Sequence, residues 1–438
     1  MVMNYKKITL ILILVVSMTP LVLSQVPSSD SLTMDQAVKI AMDNHPAILG
    51  AAQGIFSAAA KVEQNKGAFY PEISGLGSYE RIGPVPTFEL PGGPEEALAP
   101  ANNYDFHVGL FQTVYDFGRR STSVDLAETG QHAAADNVEL VKSNLSYQTI
   151  QVFYSILFLQ QNIAVKDDQI GALNQHLDIT QKKVQTGTAT NFDILTTQVR
   201  VATAQSQRSD LVNALHKQEN MLRQLTGLSP DSPITLKGEF LPREISLNVD
   251  SLISQALSQL PEMRLSRTAE ESATLQRQLA SLGNRPSLGI NLLGGFKNGY
   301  FPNLNTIKAD WAGGAEIQAP IFNGFQTRSR VRQADAALHA AQEHTSDLQR
   351  QIVTNVTQAI SDVQTSQEKI ATSEPQVAQA EQAVTIANGR YNAGVATNLD
   401  LLDAETALAD AKLIYLQALY QLVISQYALD KAVGRKVW

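Results

Sequence analysis

Apolar residues recur at two periods along this chain, and the change from one to the other separates helical from extended stretches. Between residues 119 and 185, Val138, Val141, Leu145, Val152, Ile156 and Leu159 fall at helical spacings in a background of Ala, Leu, Gln, Glu and Lys, and no proline occurs between Pro100 and Pro230. The spacing predicts one helix over about 119–185, whose length at 1.5 Å per residue is about 100 Å. A second long helix is predicted over about 326–392, with a kink or short break expected at Pro375. Shorter helices are predicted over about 46–68, 190–226, 261–283 and 397–433. The two shorter helices of each half, stacked end to end, reach about 90 Å and nearly match one long helix, so each half can form a layer two helices wide.

Between these helices the period falls to two. Tyr104, Phe106, Val108 and Leu110 alternate with Asp105, His107, Gly109 and Phe111, and similar alternation runs through Leu288, Ile290 and Leu292 and through Trp311, Gly313, Ala315 and Ile317. Strands are predicted over about 103–114, 286–296 and 308–320, with a weaker fourth over about 72–82. Each is about 10 residues long, the length a tilted strand needs to cross a bilayer.

The chain is also a repeat. Ala41–Pro46 matches Ala256–Pro261 and Pro71 matches Pro286 at an offset of 215, while Gly187–Leu195 matches Gly394–Leu402 and Gly227 matches Gly434 at an offset of 207. The difference falls in a loop rich in Pro and Gly around Pro84, Pro86, Pro91, Gly92, Gly93, Pro94 and Pro100, which is longer than its counterpart around Asn298, Gly299, Pro302 and Asn303. The expected division is a first repeat over 25–227, an irregular linker over 228–250 with Pro230, Pro233 and Pro242, and a second repeat over 251–438.

The N-terminus changes the setting of this fold. Lys6 and Lys7 precede the apolar run Ile8–Val16, and Val22-Leu23-Ser24 precede Gln25, so residues 1–24 are expected to be a cleaved secretory signal. The run is broken by Ser17, Thr19 and Pro20 before the roughly 20 apolar residues of a membrane helix. No later stretch is apolar without a break over such a length, so any membrane crossing is expected to use strands. Four strands cannot close a barrel, and open edges in hydrocarbon leave backbone groups unpaired at several kcal/mol each, so copies must associate. The alternative, a soluble meander on a long coiled coil, can leave its edges in water. Removing the signal takes two lysines and no acid, moving the formal charge from −8 to −10, which argues against a nucleic-acid partner. The chain has no cysteine, which excludes disulfides, thiolate metal sites, thiol nucleophiles and a lipid-bearing cysteine.

Two paired motifs punctuate the repeat. In Gly187-x-x-Thr190-x-x-Asp193 and Gly394-x-x-Thr397-x-x-Asp400 the glycine suits the left-handed end of one helix, and the Thr and Asp suit a capping box on the next. In Val114-Tyr115-Asp116-Phe117-Gly118 and Pro320-Ile321-Phe322-Asn323-Gly324, at the passage from strand to long helix, Asp116 and Asn323 are expected to cap the helix, and Tyr115 and Phe322 suit a membrane interface. These residues read as architecture before chemistry. There is no phosphate-binding Gly-x-x-x-x-Gly-Lys-Ser/Thr, and the 7 histidines are scattered, with His339 and His344 badly spaced for one helical face. No catalytic site, cofactor or metal site is therefore expected, and the histidines read as ordinary surface or packing residues.

The run Arg390-Tyr391-Asn392-Ala393-Gly394-Val395-Ala396-Thr397-Asn398-Leu399-Asp400-Leu401-Leu402-Asp403-Ala404-Glu405, with Pro320-Ile321-Phe322-Asn323-Gly324 upstream, resembles the repeated signature of the TolC-type outer-membrane efflux proteins, over nearly all of residues 32–436. The resemblance implies a mainly α protomer with a small transmembrane β portion, long antiparallel helices forming a periplasmic α-barrel, and four strands given to a 12-stranded barrel shared by a homotrimer in outer-membrane lipid. It also implies a periplasmic adaptor and an inner-membrane transporter as partners. On that resemblance Thr186-Gly187-Thr188 and Ala393-Gly394-Val395 are the adaptor-facing tip turns, although better-known members carry Val-Gly-Leu there and only the glycine is kept. The implied function is a passive exit duct of a tripartite efflux or type I secretion system, for small toxic compounds or secreted polypeptides. Its gate is expected where the paired helices meet near Gly187 and Gly394. A metal-cation efflux channel of the same architecture and a non-conducting envelope spacer remain open at this point.

Overall fold

The computed structural model describes residues 31–89 and 91–436, so the expected signal over 1–24 lies outside the described residues. Its elements run α1 (Met34–Asn44), α2 (Pro46–Gly67), β1 (Glu72–Arg81), β2 (Thr87–Glu89), β3 (Glu95–Ala97), β4 (Asn102–Tyr115), α3 (Arg119–Gln185) and α4 (Asn191–Thr226). The second half follows with α5 (Val249–Gln259), α6 (Pro261–Ser281), β5 (Ser287–Lys297), β6 (Lys308–Gln318), α7 (Gln326–Asn392) and α8 (Asn398–Ala432). Both long helices have 67 residues.

The helices pack as antiparallel pairs, α2 and α4 along α3, and α6 and α8 along α7, with α3 also touching α6 and α8 across the two halves. Two apolar cores lie partway along the long helices. In one, Ile150, Phe153, Ile156 and Leu157 of α3 meet Val38 of α1, Leu222 and Leu225 of α4, Val423 of α8 and Phe240 of the connecting segment. In the other, Val356, Ile360 and Val363 of α7 meet Leu252 and Ala256 of α5, Met263 of α6 and Leu429 of α8. A 67-residue rod has too little surface per turn to bury its own apolar stripe, so the short helices α1 and α5 and the linker thicken the molecule at its waist.

Several local features depart from the sequence expectation. No strand or helix was expected over 34–44, 87–97 or 249–259, where α1, the β2–β3 hairpin and α5 form. α1 and α5 have 11 residues each, too few turns for a clear periodic signal, and each runs into a proline, Pro46 or Pro261, that starts the next helix. α7 passes through Pro375 without the expected break. One missing N–H forfeits a single ladder bond, while buried Val363, Ser366, Ser373 and Tyr391 hold α7 in place on either side of the proline. α8 is apolar and long enough by composition to cross a membrane, but Leu416, Leu422, Val423 and Leu429 are buried in the two cores, so its hydropathy is that of a core helix.

Phe153 is fully buried at the centre of the first core. Phe153→Ala is expected to lower unfolding free energy by about 3–5 kcal/mol, the cost of a large-to-small core change. Urea unfolding of the purified protein, followed by helical circular dichroism against the unsubstituted chain, measures it.

Candidate channel wall and periplasmic tip

The four long strands form one antiparallel sheet in the order β1-β4-β5-β6, leaving one side of β1 and one side of β6 unpaired. Register decides its two faces. Tyr79 pairs Tyr104, Phe106 pairs Phe296, Leu110 pairs Leu292, and Leu288 pairs Ile317, so these residues share a side with Ile73, Val108 and Trp311. Its large side chains are exposed: Trp311 is 84% accessible and Ile317 75%. The opposite side carries Ser74, Ser78, Glu80, Asp105, His107, Asn291, Lys297, Asp310 and Glu316, with Leu76, Phe111 and Leu293 as its apolar exceptions. A sheet with one apolar and one mainly polar face suits lipid on the first and water on the second.

Near the end of the sheet remote from the helices, the polar face knits the two halves together. The His107 ring lies between the carboxylates of Asp105 and Asp310, with Nε2 at 2.6 Å from Asp310 Oδ1. Lys297 Nζ reaches Asp310 Oδ2 at 3.1 Å, and the Tyr300 hydroxyl donates to the same oxygen at 2.8 Å. Gly295 stands opposite His107, and a Cβ there would press on the Phe106 carbonyl and sit 2.8 Å from the His107 ring, so the imidazole needs glycine beneath it.

At the other end each hairpin turns into a long helix through two consecutive left-handed residues, Phe117 and Gly118 in the first half and Gly324 and Phe325 in the second. Asp116 is buried and accepts from the backbone N–H groups of Gly118 (3.2 Å) and Arg120 (3.0 Å) and from Arg120 Nε (3.0 Å), so it satisfies the start of α3 from two residues ahead of the helix's first flanking position. Asn323 does not make the expected cap. Its amide donates to Asn284 Oδ1 (3.0 Å) and Thr327 Oγ1 (2.7 Å), because an amide, unlike a carboxylate, carries donors that seek these acceptors. Tyr115 and Phe322 are exposed beside Phe117 and Phe325, with Pro320 and Ile321 just past β6 and the exposed Phe69 ring 4.7 Å from the Arg120 guanidinium; together they make an aromatic belt at this level.

About 100 Å away along the helices, the tips follow from helix-end chemistry. Gly187 and Gly394 both have φ of 76°. In the first turn Gly187 N–H donates to Val184 O and Thr188 N–H to Lys183 O; in the second Gly394 N–H donates to Tyr391 O and Val395 N–H to Arg390 O, so paired bonds close both helix ends. Thr186, Gly187, Thr188, Ala393, Gly394 and Val395 are all exposed. Thr190 and Asp193, and Thr397 and Asp400, form reciprocal capping boxes, with the Thr hydroxyls accepting at 3.3 and 3.2 Å and the carboxylates at 2.8 Å. Those bonds to Thr397 hold the Asp400 carboxyl below its ordinary range.

Just above the tips, the two hairpins are joined by a buried polar cluster that the sequence reading passed over. His176 Nε2–H donates to Asn398 Oδ1 at 2.5 Å, and the Asn398 amide donates to Asp193 O (3.4 Å) and Thr196 Oγ1 (3.2 Å). Thr180 Oγ1 lies 3.3 Å from the Tyr391 hydroxyl, and Lys183 Nζ donates to Tyr391 O at 2.7 Å while sitting 3.8 Å from the centre of its ring. His176 Nδ1 is buried with no partner. Tyr391 and Asn398 stand inside the tip motif, at positions a cap does not require, and that was the available signal; nothing in the sequence singles out His176. On the side of this cluster away from the tips, Leu402 packs against Leu173, Val201 and Ala204.

Long paired helices ending in exposed turns, joined to an open sheet that is apolar outside and polar within, define a subunit of an outer-membrane channel. The chain matches the outer membrane efflux protein family over residues 37–228 and again over 252–435, and it belongs to that family. It is similar to the outer membrane protein TolC of Vibrio cholerae, with 23% identity over 403 residues covering 90% of this chain and 89% of that protein. It is also similar to the cobalt-zinc-cadmium resistance protein CzcC of Cupriavidus metallidurans, with 25% identity covering 73% of this chain and 74% of the other. Among solved structures, the outer-membrane channel OprN shares the fold with a TM-score of 0.79 at 18% identity, over 92% of this chain and 90% of that one. The protein is thus an outer-membrane efflux channel that extends into the periplasm, and family and fold are those of passive channels.

Two titrations follow from burial. His176 is held below its ordinary value of 6.5, chiefly by burial, with Lys183 acting in the same direction and the Asn398 bond and Asp193 opposing. An opened junction binds a proton below pH 6.5 that the closed one refuses, so the stability of the junction is whole above 6.5 and falls as pH drops toward the lowered value. Hydrogen exchange in the first turns of α8, corrected for intrinsic rates, is expected to accelerate between pH 6.5 and 5.5, and His176→Phe is expected to abolish that excess. Glu405, on the same α8 face as Leu402 and with a buried unpartnered Oε2, has the opposite sign: burial pushes it up to about 7. Its ionisation costs stability as pH rises from 4.5 through 7, so Glu405→Gln is expected to raise the melting temperature at pH 8 and leave it unchanged at pH 4.5.

Proposed function

We propose that three copies of this chain pool their four-stranded sheets into a closed 12-stranded barrel and their helices into a tunnel below it, forming a passive exit duct. The observation that carries this reading is the open sheet with an apolar outer face: two free edges in hydrocarbon leave backbone donors and acceptors unpaired at several kcal/mol each, and only closure with further copies removes them.

On this reading an inner-membrane transporter supplies cargo and energy, and a periplasmic adaptor meets the exposed turns Thr186-Gly187-Thr188 and Ala393-Gly394-Val395. The gate lies at the junction where His176 and Tyr391 meet Asn398 and Thr180. Adaptor binding splays the two hairpins, and Gly187 and Gly394 tolerate the change in backbone angle because they carry no Cβ. The cargo is small toxic compounds or secreted polypeptides. Similarity to a cobalt-zinc-cadmium resistance protein supports metal cations as the second cargo class, and comparison of drug and metal tolerance in a strain lacking this gene separates the two.

The duct is tested with purified protein in detergent and in a planar bilayer. A particle of three times the protomer mass that opens ion conductance is expected; a monomer without conductance overturns the duct. The gate is tested in the His176→Cys/Asn398→Cys variant, clean because the chain has no other cysteine. Joining the two thiols with a short bifunctional reagent is expected to stop export in cells, and unimpaired export overturns the placement of the gate.

A further inference from the structure

The arginines of this chain are not partnered evenly along its length. On the helices most of them meet carboxylates: Arg208 pairs with Asp167, Arg264 with Asp136 at 2.7 Å and Arg277 with Asp335. At the passage from sheet to helix this pairing stops. Arg120 is bonded to Asp116, but Arg119, Arg285, Arg328, Arg330 and Arg332, all within a few residues of that passage, make no ion pair among the described residues. A guanidinium stays charged at every working pH, so a group of them without carboxylates takes its counter-charge from outside the chain.

Two of the five lie together at the end of the apolar face. Leu288 pairs with both Tyr115 and Ile317, so Tyr115 extends the apolar side of the sheet toward the helices. The Phe117 ring meets Tyr115 edge-on, with centroids 4.8 Å apart, and the Arg285 guanidinium lies 5.8 Å from the centre of Phe117. Arg285 is exposed, and its side chain makes no hydrogen bond among the described residues. Arg119 Nη2 donates to Leu282 O (3.0 Å) and Arg285 O (3.4 Å), which holds a second guanidinium against the same short backbone segment and leaves its Nε and Nη1 for another acceptor. Apolar surface, then aromatic rings, then two cations follow the order of acyl chain, glycerol and phosphate in a phospholipid. β4 and β5 are the two central strands, so this place stays open however the edges of the sheet are closed.

We infer that Arg285 and Arg119 form a binding site for the phosphate of an anionic phospholipid in the periplasm-facing leaflet, with its acyl chains along Leu288 and Ile317 and its glycerol beside Tyr115 and Phe117. The planar fork of a guanidinium matches two phosphate oxygens. The lipid carries net negative charge because two cations face one phosphate, and an amine in the headgroup would bring a third positive charge among them. The site also fixes the height of the sheet in the bilayer, since the level of the phosphates and the level of these arginines must coincide. This goes beyond the duct reading and does not depend on how many copies associate.

The test is native mass spectrometry of the detergent-purified protein with phosphatidylglycerol, phosphatidylcholine or inorganic phosphate added. Phosphatidylglycerol is expected to bind in preference to phosphatidylcholine, and Arg285→Gln is expected to weaken it about tenfold, the loss of one charge-assisted contact. Arg350→Gln removes an exposed arginine of α7 that also makes no ion pair but lies far from the aromatic belt, and it is expected to leave binding unchanged. Because the Arg285 side chain makes no hydrogen bond or ion pair, Arg285→Gln is expected to keep the helical circular dichroism of the unsubstituted chain. An equal effect of the two substitutions, equal binding of the two lipids, or displacement of phosphatidylglycerol by an equal concentration of inorganic phosphate overturns the site.

Discussion

The backbone of the sheet's edges is the constraint from which the rest of this molecule follows. A strand in hydrocarbon must pair on both sides, and here the first and last of four strands are each paired on one side only. The apolar side chains that face outward from the sheet suit lipid, so the edges cannot be left in water either. Two helical hairpins continue from the sheet at the strand-to-helix turns. On the proposed closure, a ring formed at the level of the sheet would continue along the helices.

The strand-to-helix turns show how strictly this geometry is imposed. Both halves need two left-handed residues in succession, and each fills one position with glycine and the other with phenylalanine, in opposite order. A bulky residue in that conformation costs about 1–2 kcal/mol. The backbone path is the same in both halves, so the phenylalanines are not what creates it. Asp116 and Arg120 fix the path in the first half, and Asn284, Asn323 and Thr327 fix it in the second. The aromatic rings then stay at the level of Tyr115 and Phe322, where an interface favours them.

Fold class was legible because its signals are long. A proline-free span of helix formers announces α3, and alternation between apolar and polar residues announces β4 with its one apolar face. What escaped was short or made by contacts between the halves. α1 and α5 have too few turns to show a period, and the β2–β3 hairpin has three residues per strand. At the tips the helix-ending glycines and capping boxes were readable, since a capping box is local chemistry over three residues. The cluster of His176, Thr180, Tyr391 and Asn398 was not, because its members come from three helices and more than 200 residues of chain separate His176 from Asn398. Asn323 was misread because sequence treats Asp and Asn as equal caps, while the amide's donors turned it toward neighbouring acceptors.

The repeat also sets the buried tip cluster apart from its twin positions. Two halves with one backbone plan could have carried the same contacts at every interface, yet a polar residue gains from burial only where its partner is held in register. Inside a protomer, turns of the same chain join α3 to α4 and α7 to α8, and there the imidazole of His176 meets the amide of Asn398 at 2.5 Å and the phenol of Tyr391 meets the Thr180 hydroxyl at 3.3 Å. At the equivalent positions the twins of His176, Thr180 and Tyr391 are Ala383, Ala387 and Val184, which carry no side-chain donor, and the twin of Asn398, Asn191, is exposed to water. Specific side-chain hydrogen bonds thus lie where the chain itself guarantees the geometry.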